Sequence, residues 1–154
     1  MQNVYSGYAM NTCAAYGATA LRISLGVMYL AHGLLKVLVF TPAGTVQFFE
    51  GLGLPAIFAY ATIAAEVGGG LLLILGLGSR VVAAALIPLL IGSIVLVHGD
   101  KGWLFSNPGG GWEFPAFLIG ASVAQTLLGD GALSASSWIK SRFGRASSTT
   151  YSVA

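Results

Sequence analysis

Three side chains stand where an apolar sequence leaves no ordinary place for them: His32 and Lys36, about one helical turn apart, and Glu66, midway through a second apolar run. An imidazole exchanges a proton near neutral pH, and an ammonium polarises a carbonyl oxygen. A carboxyl group removed from water either pairs with a cation or keeps its proton and donates it. Together the three could polarise the oxygens of a small molecule and deliver protons to it, so they are the candidate catalytic set. Tyr29, His98 and Glu113 are read as substrate-binding, and Arg22 and Arg80 as structural charges.

Several other chemistries have no signature. No short ligand spacing such as His-x3-His occurs, so no metal site is expected. Cys13 is the sole cysteine, which excludes an intramolecular disulfide, a Cys-x-x-Cys pair and a thiolate cluster within this chain. There is no haem attachment motif and no glycine-rich dinucleotide turn. The resident cofactor is therefore unknown, and electrons would come from a partner.

The elements that position these residues follow from composition. The chain is 56% hydrophobic and 8% charged, with a mean hydropathy of +0.82. A soluble domain carries about 25% charged residues. Four apolar blocks, 16–38, 55–77, 81–97 and 112–128, are long enough, or nearly so, to cross a hydrocarbon layer about 30 Å thick as helices. Their continuous apolar character lacks the alternation of a membrane β-strand. The fourth needs Trp112 and Glu113 to reach span length, and three spans with a re-entrant piece is the alternative. The expected fold is an all-α, integral membrane four-helix bundle.

On a 100° wheel, Arg22, Gly26, Tyr29, His32, Gly33 and Lys36 share an arc of about 120°, opposite Val27, Leu30, Ala31, Leu34 and Leu38. One face of the first helix is for protein and the other for lipid. Counting about 1.5 Å per residue from the span ends, His32 lies roughly 9 Å deep and Glu66 roughly 16 Å, so the two are expected to meet directly or through water. Lys36 could descend to the same place or snorkel outward. In the second span Ala61, Ala65 and Gly69 recur at four-residue spacing and mark a close helix contact. Pro88 suggests a kink in the third.

The connections are unequal. Residues 39–54 suggest a short interfacial helix ended by glycine, and Gly78-Ser79-Arg80 forces an antiparallel hairpin. The loop 98–111 carries Trp103, and Trp112 follows it, as suits an aromatic belt. Residues 1–15 form an N-terminal segment without the basic region of a signal peptide, and 129–154 read as a flexible tail. Of the seven Lys and Arg residues, Arg22, Arg80, Lys140, Arg142 and Arg145 fall on one side, against Lys36 and Lys101. That bias places both termini in the cytoplasm. The basic stretch from Lys140 to Arg145 suits anionic head groups, and no nucleic-acid motif is visible.

At these residues the chain resembles the DoxX family of small bacterial membrane proteins. The matching segments are Arg22-Ile-Ser-Leu-Gly26, His32-Gly-Leu-Leu-Lys36, Glu66-Val-Gly-Gly-Gly-Leu-Leu-Leu-Ile-Leu-Gly76 with Arg80, His98, Gly111-Trp-Glu-Phe114 and Gly129-Asp-Gly-Ala-Leu-Ser134. They span about residues 18–136 in family order. The resemblance implies a four-helix membrane bundle and an oxidoreductase role, since relatives include subunits of quinone-coupled sulfur oxidation and membrane redox complexes. It carries the family's recurrent polar positions onto His32, Lys36, Glu66, Arg80, His98 and Glu113. Ala135-Ser136 and the single cysteine depart from many members.

Three functions fit this reading. The first is a membrane redox protein, or redox-complex subunit, handling quinone or a small reductant with other membrane subunits or with copies of itself. The second is a non-catalytic scaffold whose ion pairs hold helix register. The third is a small-molecule or proton pathway through the same buried acid.

Overall fold

The computed structural model describes residues 2–143, with side chains over 12–142. Among them every regular element is helical: α1 (Gln2–Leu38), α2 (Thr41–Gly51), α3 (Ala56–Leu75), α4 (Ser79–Ser93), α5 (Glu113–Leu128) and α6 (Ala135–Phe143). A π-helical turn at Ile94–His98 and a 3-10 turn at Gly99–Lys101 continue α4. Three stretches are long and apolar enough to cross a membrane: Thr12–Leu38, Ala56–Leu75 and Ser79–Lys101. The fourth apolar helix, Glu113–Leu128, has 16 residues, about 24 Å of rise.

The helices pack in a closed order. α1 lies along α3, α3 meets α4, α4 lies along α5, and α5 returns to α1. The core between them holds Leu25, Tyr29, Leu73, Ala83, Leu86, Leu90 and Leu118. Many large apolar side chains outside it, Val27, Leu71, Val81, Val95 and Phe117 among them, remain exposed, as a helix surface bathed in hydrocarbon requires.

Glycine sets the spacing of α1 and α3. A Cβ on Gly70 would lie 2.7 Å from the Leu30 amide nitrogen, and one on Gly33 would lie 2.9 Å from that of Val67. The expected stripe of Ala61, Ala65 and Gly69 is thus not the main close contact. Gly69 faces Leu86 of α4, Ala61 is exposed, and Gly70, one residue round the helix, meets α1.

The expected interfacial helix is α2, which ends at Gly51 and packs on α1 and α3. The hairpin between α3 and α4 turns on Gly76 and Gly78, at φ 71° and 61°. Pro88 lies inside α4.

Two boundaries differ from the sequence expectation. α1 begins at Gln2 rather than near residue 16, because the uncharged residues before Tyr16 contain no proline to stop it. The stretch expected to be a flexible tail from Gly129 is instead docked through residue 136. Thr19 Oγ1 accepts from the Ala132 amide at 2.9 Å, Asp130 Oδ1 accepts from the Ser79 amide at 2.8 Å, and Ser136 Oγ donates to the Gly76 carbonyl at 2.8 Å. α6 follows, and Arg145 lies outside the described residues.

Candidate functional site

Polar side chains gather at both ends of the packed helices. At the end where α1 finishes and α5 begins, Lys36 Nζ donates to both oxygens of Glu66, at 2.9 and 2.7 Å. The two side chains are 20% and 12% exposed, so this pair is largely withdrawn from its surroundings. Gly33 explains the meeting. A Cβ there would come within 3.1 Å of Glu66 Cβ, so the helices nearly touch at that level, and Lys36 follows one turn later on the same face. Thr45 of α2 donates to the Lys36 carbonyl at 3.1 Å and closes that end.

The expected partnership of His32 with Glu66 is replaced by this one. His32, about 100° round the helix from Gly33, points toward α5, and its ring stacks on Phe114 with centroids 6.0 Å apart. Its Nδ1 lies 2.9 Å from the Met28 carbonyl. A carbonyl only accepts, so Nδ1 carries the hydrogen and Nε2 is left for other partners. His98 repeats the arrangement, with Nδ1 donating to the Gly110 carbonyl at 2.8 Å.

His32 and His98 line one open pocket of about 930 Å³, together with Trp103, Phe105, Glu113 and Phe114. That size is in the range of sites that take cofactor-sized molecules, and the lining is mainly aromatic with a few polar groups. The loop forming its rim is internally tied. Glu113 Oε1 accepts from the Phe105 amide at 2.8 Å, and Trp103 meets Trp112 edge to face at 4.5 Å. Glu113 therefore shapes the rim as well as lining the pocket.

Tyr29 is not part of this pocket. It is 3% exposed in the core, and its hydroxyl lies 3.0 Å from Ser122 Oγ of α5. Ser122 and Gln125, both fully buried on α5, were not singled out in the sequence. Their i, i+3 spacing on a mostly apolar helix was the available signal.

At the opposite end, Arg22 is 1% exposed and far more buried than an end anchor would be. It donates to the carbonyls of Leu73 at 3.1 Å, Ile74 at 3.3 Å and Leu133. The first two lie in the last turn of α3, where the Leu73 carbonyl also accepts from the Gly76 amide, so Arg22 supplies the donor for Ile74 and ties the segment from Gly129 to the helices. Arg80 reaches the Thr126 carbonyl at 3.3 Å.

Burial works to raise the nearby Asp130 carboxyl, but Ser79, Ser136 and the charge of Arg22 outweigh it and hold it below the usual carboxylate range. Among the described residues Arg22 Nε, Ser79 Oγ and Gln125 Oε1 are buried with no hydrogen-bond partner, and internal water is the usual remedy for such groups. Among the described residues, no three His, Cys, Asp or Glu side chains come together as metal ligands would.

Comparison with known proteins bears on this geometry. The DoxX family model matches residues 17–99, which include Arg22, His32, Lys36, Glu66, Arg80 and His98. A Bacillus subtilis (strain 168) protein named "Putative oxidoreductase CatD" is 34% identical over 120 residues, covering 78% of this chain and 84% of the relative. No solved structure matches the chain significantly. With a family model over more than half its length and a relative aligned over most of both proteins, the chain belongs to the DoxX family.

Proposed function

We propose that this chain is a four-helix membrane protein that binds a quinone or a similar small reducible molecule in the pocket between His32 and His98, within a membrane redox complex. The observation carrying this reading is the matched pair of histidines. Each donates Nδ1–H to a backbone carbonyl, and both face an aromatic-walled space. Protonated, each Nε2–H can donate to one carbonyl oxygen of a quinone and release its proton there.

Reduction to the quinol takes two electrons and two protons. The electrons come from a partner redox subunit, the protons from the two imidazoles. The name of the Bacillus subtilis relative supports redox chemistry, and the size and aromatic lining of the pocket support a quinone as the substrate. Lys36 and Glu66 stand behind His32 as a proton-exchanging pair. Their two-point contact also favours a second role, fixing the register of α1 against α3.

In this proposal α1, α3, α4 with its π turn, and α5 all cross an inner membrane. The short α5 relies on Trp103 and Trp112 at the interface and on local thinning. Both termini are cytoplasmic, which puts the His32 pocket near the outer surface. Cys13, free and exposed, then resists a membrane-impermeant maleimide until cells are permeabilised, whereas Phe105→Cys reacts from outside. The reverse pattern contradicts the orientation.

The functional test is purification in mild detergent, identification of bound quinone and protein, and quinone-dependent turnover of that complex. His32→Ala and His98→Ala are expected to cut turnover while assembly and melting temperature persist. Full turnover in a stable double variant would leave scaffolding as the better account.

A further inference from the structure

The proposed redox pocket leaves α6, at the other end of the molecule, without a role. Its Trp138 is 61% exposed, Ile139 and the preceding Leu133 are exposed too, and Lys140 and Arg142 stand free of any ion pair among the described residues. Large apolar groups and unpaired cations on one nine-residue helix need a partner that is apolar on one side and anionic on the other.

The height of this surface is fixed by its attachments. Ser136 accepts from the Gly78 amide and donates to the Gly76 carbonyl, and Arg22 holds the Leu133 carbonyl. Gly76 and Gly78 lie between two stretches long enough to span a membrane, one ending at Leu75 and the next starting at Ser79. The start of α6 is therefore level with the point where the chain leaves the hydrocarbon. There an open groove of about 610 Å³ is lined by Leu133, Ser134, Ser137, Trp138 and Ser141.

We propose that α6 and Leu133 form an interfacial site for anionic phospholipid. Leu133, Trp138 and Ile139 enter the boundary between head groups and acyl chains, and Lys140 and Arg142 take the phosphates. Charge decides the occupant. The acid nearest this surface, Asp130, is already engaged by the Ser79 amide, and the exposed Arg80 adds to the positive field. A second copy would bring the same cations against themselves, whereas an anionic leaflet is complementary.

The test uses the full chain in vesicles and does not depend on redox activity. Fluorescence quenching by lipids brominated high on the acyl chain is measured for the wild type and for Trp138→Phe, and the difference isolates Trp138 from Trp103 and Trp112. Each basic residue near an anionic surface is worth roughly a fivefold preference. Trp138 is therefore expected to be quenched several-fold more in phosphatidylglycerol mixtures than in phosphatidylcholine, and Lys140→Glu/Arg142→Glu to erase that difference. Equal quenching in both membranes overturns the anionic preference. A Trp138 reached by aqueous iodide but not by brominated lipid overturns the membrane site, and one reached by neither quencher indicates a protein partner instead. If Trp138→Phe lowers yield, native mass spectrometry decides: anionic lipid kept by the wild type and lost from the charge-reversed variant supports the site, and equal retention by both overturns it.

Discussion

The two ends of the packed helices each bury a cation from α1, and they satisfy it in different ways. Arg22 is enclosed by three backbone carbonyls, whereas Lys36 meets a carboxylate with both oxygens. Carbonyls hold a charge without exchanging a proton, so the Arg22 end has the chemistry of a clasp. An ammonium–carboxylate pair can exchange one, and its ammonium lies on the helix that also presents His32 to an open pocket. The same cost of burying charge in lipid thus yields structure at one end and a candidate site at the other.

Breaking the clasp is expected to have the largest effect. Arg22→Leu strips the donor from Ile74 and Leu133 and one of two from Leu73, at a cost of about 1–3 kcal/mol for each carbonyl left unsatisfied, read as loss of yield and melting temperature in detergent. Gly76→Ala acts on the same clasp. Its φ of 71° and the collision of a new Cβ with the Arg22 guanidinium predict a loss of about 1–3 kcal/mol. Stability unchanged by either substitution would show that the Arg22 end is not what holds residues 129–136 in place.

At the other end the contrast lies between single and paired changes. Lys36→Met leaves Glu66 without its cation and should cost about 1–3 kcal/mol, while Lys36→Met/Glu66→Leu should return to within about 1 kcal/mol of the wild type. If turnover survives in the double variant, the pair serves helix register alone. His32→Phe keeps the aromatic contact with Phe114 and should scarcely move the melting temperature, yet lower quinone-dependent turnover by about a hundredfold.

The smallest effect concerns Asp130. Its carboxyl is held below the ordinary range, so the stability it lends is fully present above the unfolded value of about 3.9 and is lost as pH falls through the lower folded value. Asp130→Asn should therefore lower stability modestly at neutral pH, flatten the acid limb of the stability profile below about pH 4, and converge on the wild type at the lowest pH.

Much of the architecture was legible in the residues. Apolar block length marked the helices, Gly78-Ser79-Arg80 marked the hairpin, and Gly51 marked the end of α2. The docking of Gly129 to Ser136 was not, because it is made by backbone groups and small hydroxyls that composition alone assigns to a loop.

Within the site, the arc shared by His32 and Lys36 was readable, but the choice between them was not. Depth estimates favoured His32 as the partner of Glu66, whereas the contact at Gly33 aligns Lys36 with it and turns His32 toward Phe114. Tyr29 shares the same arc yet bonds to Ser122, since one face of a helix can meet two neighbours. A wheel gives direction around one helix but not the rotation of the helix packed against it.

The most direct test of the account is photolabelling of the membrane complex with an azido-quinone, followed by peptide mapping. The account predicts labelling of His32 or of residues 103–117, suppressed by excess unmodified quinone and reduced in His32→Phe. Labelling confined to residues around Arg22 and Ser79, or labelling at the pocket that excess quinone does not suppress, would contradict it.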